Sequence, residues 1–187
     1  DPRVRAMFNT PPILRAYWRA FAELVGGPFS NPYLDPFIDA HVTALTTNNI
    51  DIDIDAVAAM KTYIGDRQAF LQSQLATVAT PFTVEGSLSF ETTNNLLEVQ
   101  GLAPVAIKDI TVNGVAYPVV WTTATNFILR AVLSPGINDF TLVGIDRFGV
   151  PVADAPILLS VLYTGPVPDP RGALVFSEIL FAPSRAN

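Results

Sequence analysis

Cysteine is absent from this 187-residue chain. That excludes disulfides, thiolate metal sites and thiol catalysis, although it does not assign a compartment. Charge is scarce as well. Only 15 % of the residues are Asp, Glu, Lys or Arg, against roughly 25 % in ordinary soluble domains. A surface so poor in charge points to coverage by a partner or to life outside the cell. The 11 basic residues are scattered, among them Arg3, Arg5, Arg15, Arg19, Lys61 and Arg67, under a net charge of −6. Nucleic acid needs a basic stripe to replace phosphate counterions, so that class is set aside. No apolar run approaches the roughly 20 residues that span a bilayer. The opening "DPRVRAMF" shows neither an initiator Met nor a signal peptide, which suggests a processed form or a fragment of something longer.

What the chain does hold is an abundance of apolar residues, 50 % of the total, arranged in two textures. The first third is helical. Thr10 is placed to cap and Pro11 suits a first turn, where no amide donor is required. Leu14, Tyr17, Trp18, Phe21 and Val25 then recur at helical spacing until Gly26-Gly27. A second stripe, Leu34, Phe37, Ile38, Val42 and Leu45, closes at Asn48-Asn49. In "NNIDIDIDAVAAMKTYI" Asp51, Asp53 and Asp55 alternate with Ile50, Ile52 and Ile54. A calcium loop beginning at Asp51 would need Gly at its sixth position and Glu at its twelfth. Ala56 and Thr62 stand there instead, so the calcium reading fails. The expectation is a short extended segment followed by a third helix, 56–78, capped by Asp55, with Val57, Met60, Ile64, Leu71 and Leu75 inward.

Beyond "TVATPFTV" the period shortens to that of strands. Expected strands are 82–90, 95–101, 105–112, 115–122, 126–133, 139–145 and 155–163. They are punctuated by Asn94-Asn95, Asn113-Gly114, Pro135-Gly136 and "DRFG" at 146–149. Asn-Gly is a strong hairpin signal because both residues tolerate positive φ. Short strands at this density argue for an immunoglobulin-like sandwich without its disulfide, with Trp121 and Phe127 as core anchors. The fold class is therefore α+β: about three helices (1–80) packed on an Ig-like antiparallel sandwich (81–163). A Pro-rich linker (164–172) leads to a further strand segment (173–187).

Several stretches resemble a known family. "ILRAYWRAFAELVGGPF", "LDPFIDAHVTALTTN" and "AVAAMKTYIGDRQAFLQSQLATV" resemble the C-terminal helices of CotH-type spore-coat kinases. "APVAIKDITVNGVAYPVVWTT" with "LSPGINDFTLVGIDRFG" is similar to the Ig-like module that often follows them. "GALVFSEILFAPS" is similar to the opening strand of a lamin-tail domain. The resemblance covers nearly the whole chain, yet it implies no catalytic residue here. Such kinases need a nucleotide-binding loop, a phosphate-contacting Lys and acidic metal ligands, and all of these belong to a lobe upstream of these residues.

Individual candidates are few. His41 has Phe37, Ile38, Ala44 and Leu45 three and four residues away, none of them a ligand, and no G-x-S-x-G elbow exists. A packing or surface role is expected for it. Tyr17, Trp18, Phe21 and Phe29 would suit a sugar platform, but the first three share a helical stripe and read as core. Asp35, Asp39, Asp51, Asp53 and Asp55 would bind a divalent ion only if the loop folded back on them. Glu178, in an apolar run, is expected to face solvent.

The functional expectation is a non-catalytic structural or assembly module of an extracellular or cell-surface protein, with no cofactor and no metal. Its partners would be copies of itself or neighbouring domains of a longer parent. The assembly strand would be Leu174, Val175, Phe176, Ile179, Leu180 and Phe181. Such a strand needs a ladder and cover, and three fates are open to it: disorder, folding back, or donation to a neighbour. The alternative function is the accessory C-terminal portion of a CotH-type kinase.

Overall fold

The computed structural model describes residues 1–152 and 155–167, and within them four helices precede nine strands. The α+β class holds. α1 (Pro2–Phe8) was not anticipated from periodicity; it starts where the Asp1 carboxylate accepts the Arg3 amide at 2.8 Å. α2 (Pro11–Gly26) begins with two prolines that need no amide partner. Thr10 precedes it, but its hydroxyl donates back to the Ala6 carbonyl instead of capping. α3 (Asn31–Thr47) ends at Asn48, and Asn49 takes the left-handed conformation at φ 59.

α4 (Ile54–Ala76) corrects the expected cap. Asp53, not Asp55, accepts the third amide of the helix, that of Ala56, at 3.0 Å. Asp55 falls in the first turn, where its charge favours the helix dipole. The helix thus starts two residues early, and the expected extended segment at 50–54 is not a strand. α4 packs against both α2 and α3. Gln68 donates to the Val25 carbonyl, Asn31 to that of Lys61, and Lys61 to the Asp39 carboxylate at 2.6 Å.

The nine strands form two sheets. One is ordered β1 (Thr83–Val84), β3 (Leu96–Leu102), β7 (Asn126–Val132), β6 (Val119–Trp121). The other is β2 (Ser89–Thr92), β9 (Ile157–Tyr163), β8 (Gly136–Ile145), β4 (Asp109–Val112), β5 (Val115–Tyr117). Two expected strands are each split between the sheets. The run 82–90 divides around Gly86, at φ 84. The run 115–122 divides at Pro118, which has no amide for a ladder. Pairing is antiparallel except between β2 and β9, which run parallel. This is the Ig-like sandwich, with one exception to the expected antiparallel order. The expected 105–112 strand shrinks to β4, because 103–108 forms a loop with another task. Asn113-Gly114 turns with φ 51 and 81, as Asn-Gly hairpins require.

Register sets the long axis. Leu102 faces Asn126 at one pole, and Leu96 faces Val132 at the other. β9 ends at the second pole, where Tyr163 faces Gly136. Inward residues alternate along β3 (Leu97, Val99), β7 (Phe127, Leu129, Ala131) and β9 (Leu159, Val161, Tyr163). Phe127 anchors the core at 1 % exposure. Trp121 packs edge-on against it, 5.9 Å between centroids, but is only partly buried.

Phe127→Ala should lower stability by about 3–5 kcal/mol, since it empties a large buried volume. Val132→Ala, at a side chain 74 % exposed on the same strand, should change it by no more than about 0.5 kcal/mol. Urea unfolding of the two variants checks the difference.

Candidate functional site

The most unusual group in the molecule is Arg15, which lies on the same face of α2 as Trp18, Ala22 and Val25. Its side chain is buried to 2 % exposure at the pole where β3 ends and β7 begins. The 103–108 loop curls around it. Its Nη1 donates to the carbonyls of Ala103 (3.0 Å) and Ala124 (2.6 Å). Its Nη2 donates to Ile107 (2.6 Å) and to Pro104, and its Nε to Ile107 (3.2 Å). The plane of the guanidinium is covered by Trp121, 3.6 Å from ring centroid to Cζ. Five N–H donors are the whole capacity of an arginine, and this geometry gives each a use.

Among the described residues no carboxylate takes part. Desolvation by burial, with the like charge of Arg19 behind it, lowers the Arg15 pKa well below its ordinary value, to about 9. The carbonyl ring and the π-face of Trp121 favour the cation and oppose that fall, so the group is charged at neutral pH. Arg fits the role where Lys would not: a planar fork reaches separate acceptors at once, while an ammonium is a point charge with three donors. A second, weaker tie joins the same pole. Arg147, after β8, meets the Glu23 carboxylate at 3.0 Å. Both side chains are substantially exposed, so this pair contributes little.

The residues singled out from the sequence are dispersed by comparison. His41 is exposed, and its Nδ1 lies 2.7 Å from the Phe37 carbonyl one turn back. It borders an apolar groove of about 440 Å³ between α3 and α4, with Phe37, Val42, Leu45, Ile52 and Met60. The acidic residues are not brought together. Asp39 holds Lys61, whose pKa that hydrogen bond raises. Asp35 accepts from Asn31, and Asp53 caps α4. Among the described residues no three His, Cys, Asp or Glu side chains gather as a metal site.

Tyr17 stacks on Phe8, Trp18 and Phe21 at interplanar angles of 78°, 72° and 54°. Rings crossed in this way offer no shared flat face to a sugar, and Phe29 does not join them. Leu174, Val175, Phe176, Ile179, Leu180 and Phe181, together with Glu178, lie outside the described residues. Sequence reasoning missed Arg15, counting it among scattered charges. Its one signal was position: an arginine three residues before Trp18 and ten before Val25, inside an apolar face.

No protein-family model and no curated protein matches the chain. Among solved structures, the chain is similar to fibronectin(III)-like modules of Clostridium thermocellum CbhA. The match has 12 % identity and a TM-score of 0.34, and it covers 46 % of this chain and 98 % of that one. Among the described residues no helix is long and apolar enough to cross a membrane.

Arg15→Met should cost at least about 2–3 kcal/mol, because it strands buried carbonyls at about 1–3 kcal/mol each. Arg15→Lys should recover only part of that loss. Limited proteolysis provides a second reading. The intact chain should resist cleavage at 77–82, and Arg15→Met should be cut there. Rapid cleavage of the intact chain into two stable fragments would count against the coupling.

Proposed function

We propose that this chain is a non-catalytic structural module of an exported or cell-surface protein. In this reading it holds a helical segment in one orientation on an Ig-like sandwich and assembles by donating residues 173–181 to a neighbour. The observation that carries the reading is the Arg15 anchorage, in which the sandwich uses the carbonyls of two loops to grip a helix. That arrangement gives stiffness, since five donors of one side chain tie the helix to the sandwich. Low surface charge supports burial against partners and an extracellular setting. The linker alternates Pro166, Pro168 and Pro170, a composition that favours an extended, semi-rigid spacer. Behind it, 173–181 supplies the apolar residues that strand addition uses. A strand given head to tail does not close on itself, and the product is an open filament.

A second reading has its own support. The groove between α3 and α4 leaves Phe37, Leu45 and Met60 between 41 % and 56 % exposed. Such a face suits a helical unit that packs against further protein, as the accessory C-terminal portion of a CotH-type kinase would.

Light scattering distinguishes the two. Under the assembly reading the intact chain has a mass above the monomer, and deletion of 173–187 returns it to the monomer. Two monomeric samples would end that reading. Calorimetric titration with Mg-ATP should give no binding heat; a saturable signal from this chain alone would overturn the non-catalytic assignment.

A further inference from the structure

The edge of β3 has an unfilled stretch. β1 covers only Gly101 and Leu102 of β3. The Glu85 amide adds one bond, to the Gln100 carbonyl at 2.8 Å, before the chain crosses to the other sheet around Gly86. That bond shows which backbone groups face this side. Gln100 does, and by strand alternation so do Glu98 and Leu96. Val99 and Leu97 turn theirs to β7. The Leu96 amide is taken by the Asn94 side chain at 3.0 Å. Among the described residues nothing meets the Glu98 amide or carbonyl from this side.

Beside the edge, two hollows of about 250 and 270 Å³ open between the sheets, both bordered by Glu98. Phe90 lines both of them. Unpaired backbone next to partly apolar hollows is what an added strand fills: its ladder satisfies the edge, and alternate side chains enter the hollows.

We infer that the free edge of β3 at Leu96–Glu98, backed by Phe90, is the acceptor for residues 173–181 of a second copy of this chain. The inference rests on the donation reading and specifies where the strand goes. Of the two faces of 173–181, the one carrying Val175, Ser177, Ile179 and Phe181 has no charge and enters the hollows. The other carries Glu178 and stays in solvent. A second copy is favoured over the chain's own tail by the linker. Tyr163 donates to the Pro166 carbonyl at 2.7 Å, which holds that residue at the pole where β3 begins. The sequence that follows places proline at 166, 168 and 170, a composition that favours extended backbone and disfavours the tight reversal an own-chain return to the adjacent edge requires.

Glu98→Pro tests the acceptor, because it removes the outward amide and no bond to β7. The intact chain should self-associate, while Glu98→Pro and the 173–187 deletion should both be monomers by light scattering. The absence of native cysteine allows an independent check that does not depend on the proline variant folding. Glu98→Cys mixed with Phe176→Cys should give a disulfide-linked dimer on oxidation. If the deletion abolishes assembly but folded Glu98→Pro does not, and no dimer cross-links, the acceptor lies elsewhere and donation survives. If the intact chain is monomeric and a Glu98→Cys/Phe176→Cys double variant closes within one chain, the edge takes its own tail and the second-copy inference is overturned. A monomer with no disulfide removes both.

Discussion

A buried cation held by carbonyls, with no counter-ion among the described residues, governs this structure. An uncompensated charge is among the most costly groups to take out of water, and Arg15 is tolerated only because carbonyl dipoles and an indole face replace its hydration. The carbonyls have to come from somewhere. They come from the loop at 103–108 and from Ala124. β4 starts only at Asp109, after that loop, and Trp121 sits partly buried at the rim with its ring over the guanidinium. One side chain on a helix thereby shapes the loops of a sandwich about a hundred residues later in the chain.

The same grip gives the molecule a direction. The helices sit at the pole where β3 ends, and the chain leaves β9 at the opposite pole. The α3–α4 groove and the β3 edge differ in kind. On the helical side the α3–α4 groove offers apolar side chains; along the sandwich, β3 offers unpaired backbone. Side-chain cover suits a packed partner, whereas backbone cover suits a strand.

Much of the architecture was legible from local pattern. α2, α3 and α4 follow stripes at helical spacing, and the Asn113-Gly114 hairpin follows from dihedral preference alone. The errors have specific causes. Three alternating aspartates present three equivalent caps, and only the reach of the Asp53 carboxylate to the Ala56 amide decides between them. The runs 82–90 and 115–122 each read as one strand because sheet membership depends on partners distant in sequence. The central feature was the least legible. The acceptors of Arg15 lie 88 to 109 residues away, and composition counted it as one more scattered charge. The apolar character of 173–181 and the prolines before it were plain in the sequence; the open edge of β3 was not, since it exists only because β1 is two residues long.

The central claim is that the helical segment and the sandwich move as one body through the Arg15 contact. Residual dipolar couplings of backbone amides test it most directly, with α2 and α4 measured beside β3 and β7 in a single aligned sample. The account predicts that one alignment tensor fits both sets. Two tensors of different magnitude, with the helices averaged relative to the strands, would contradict it.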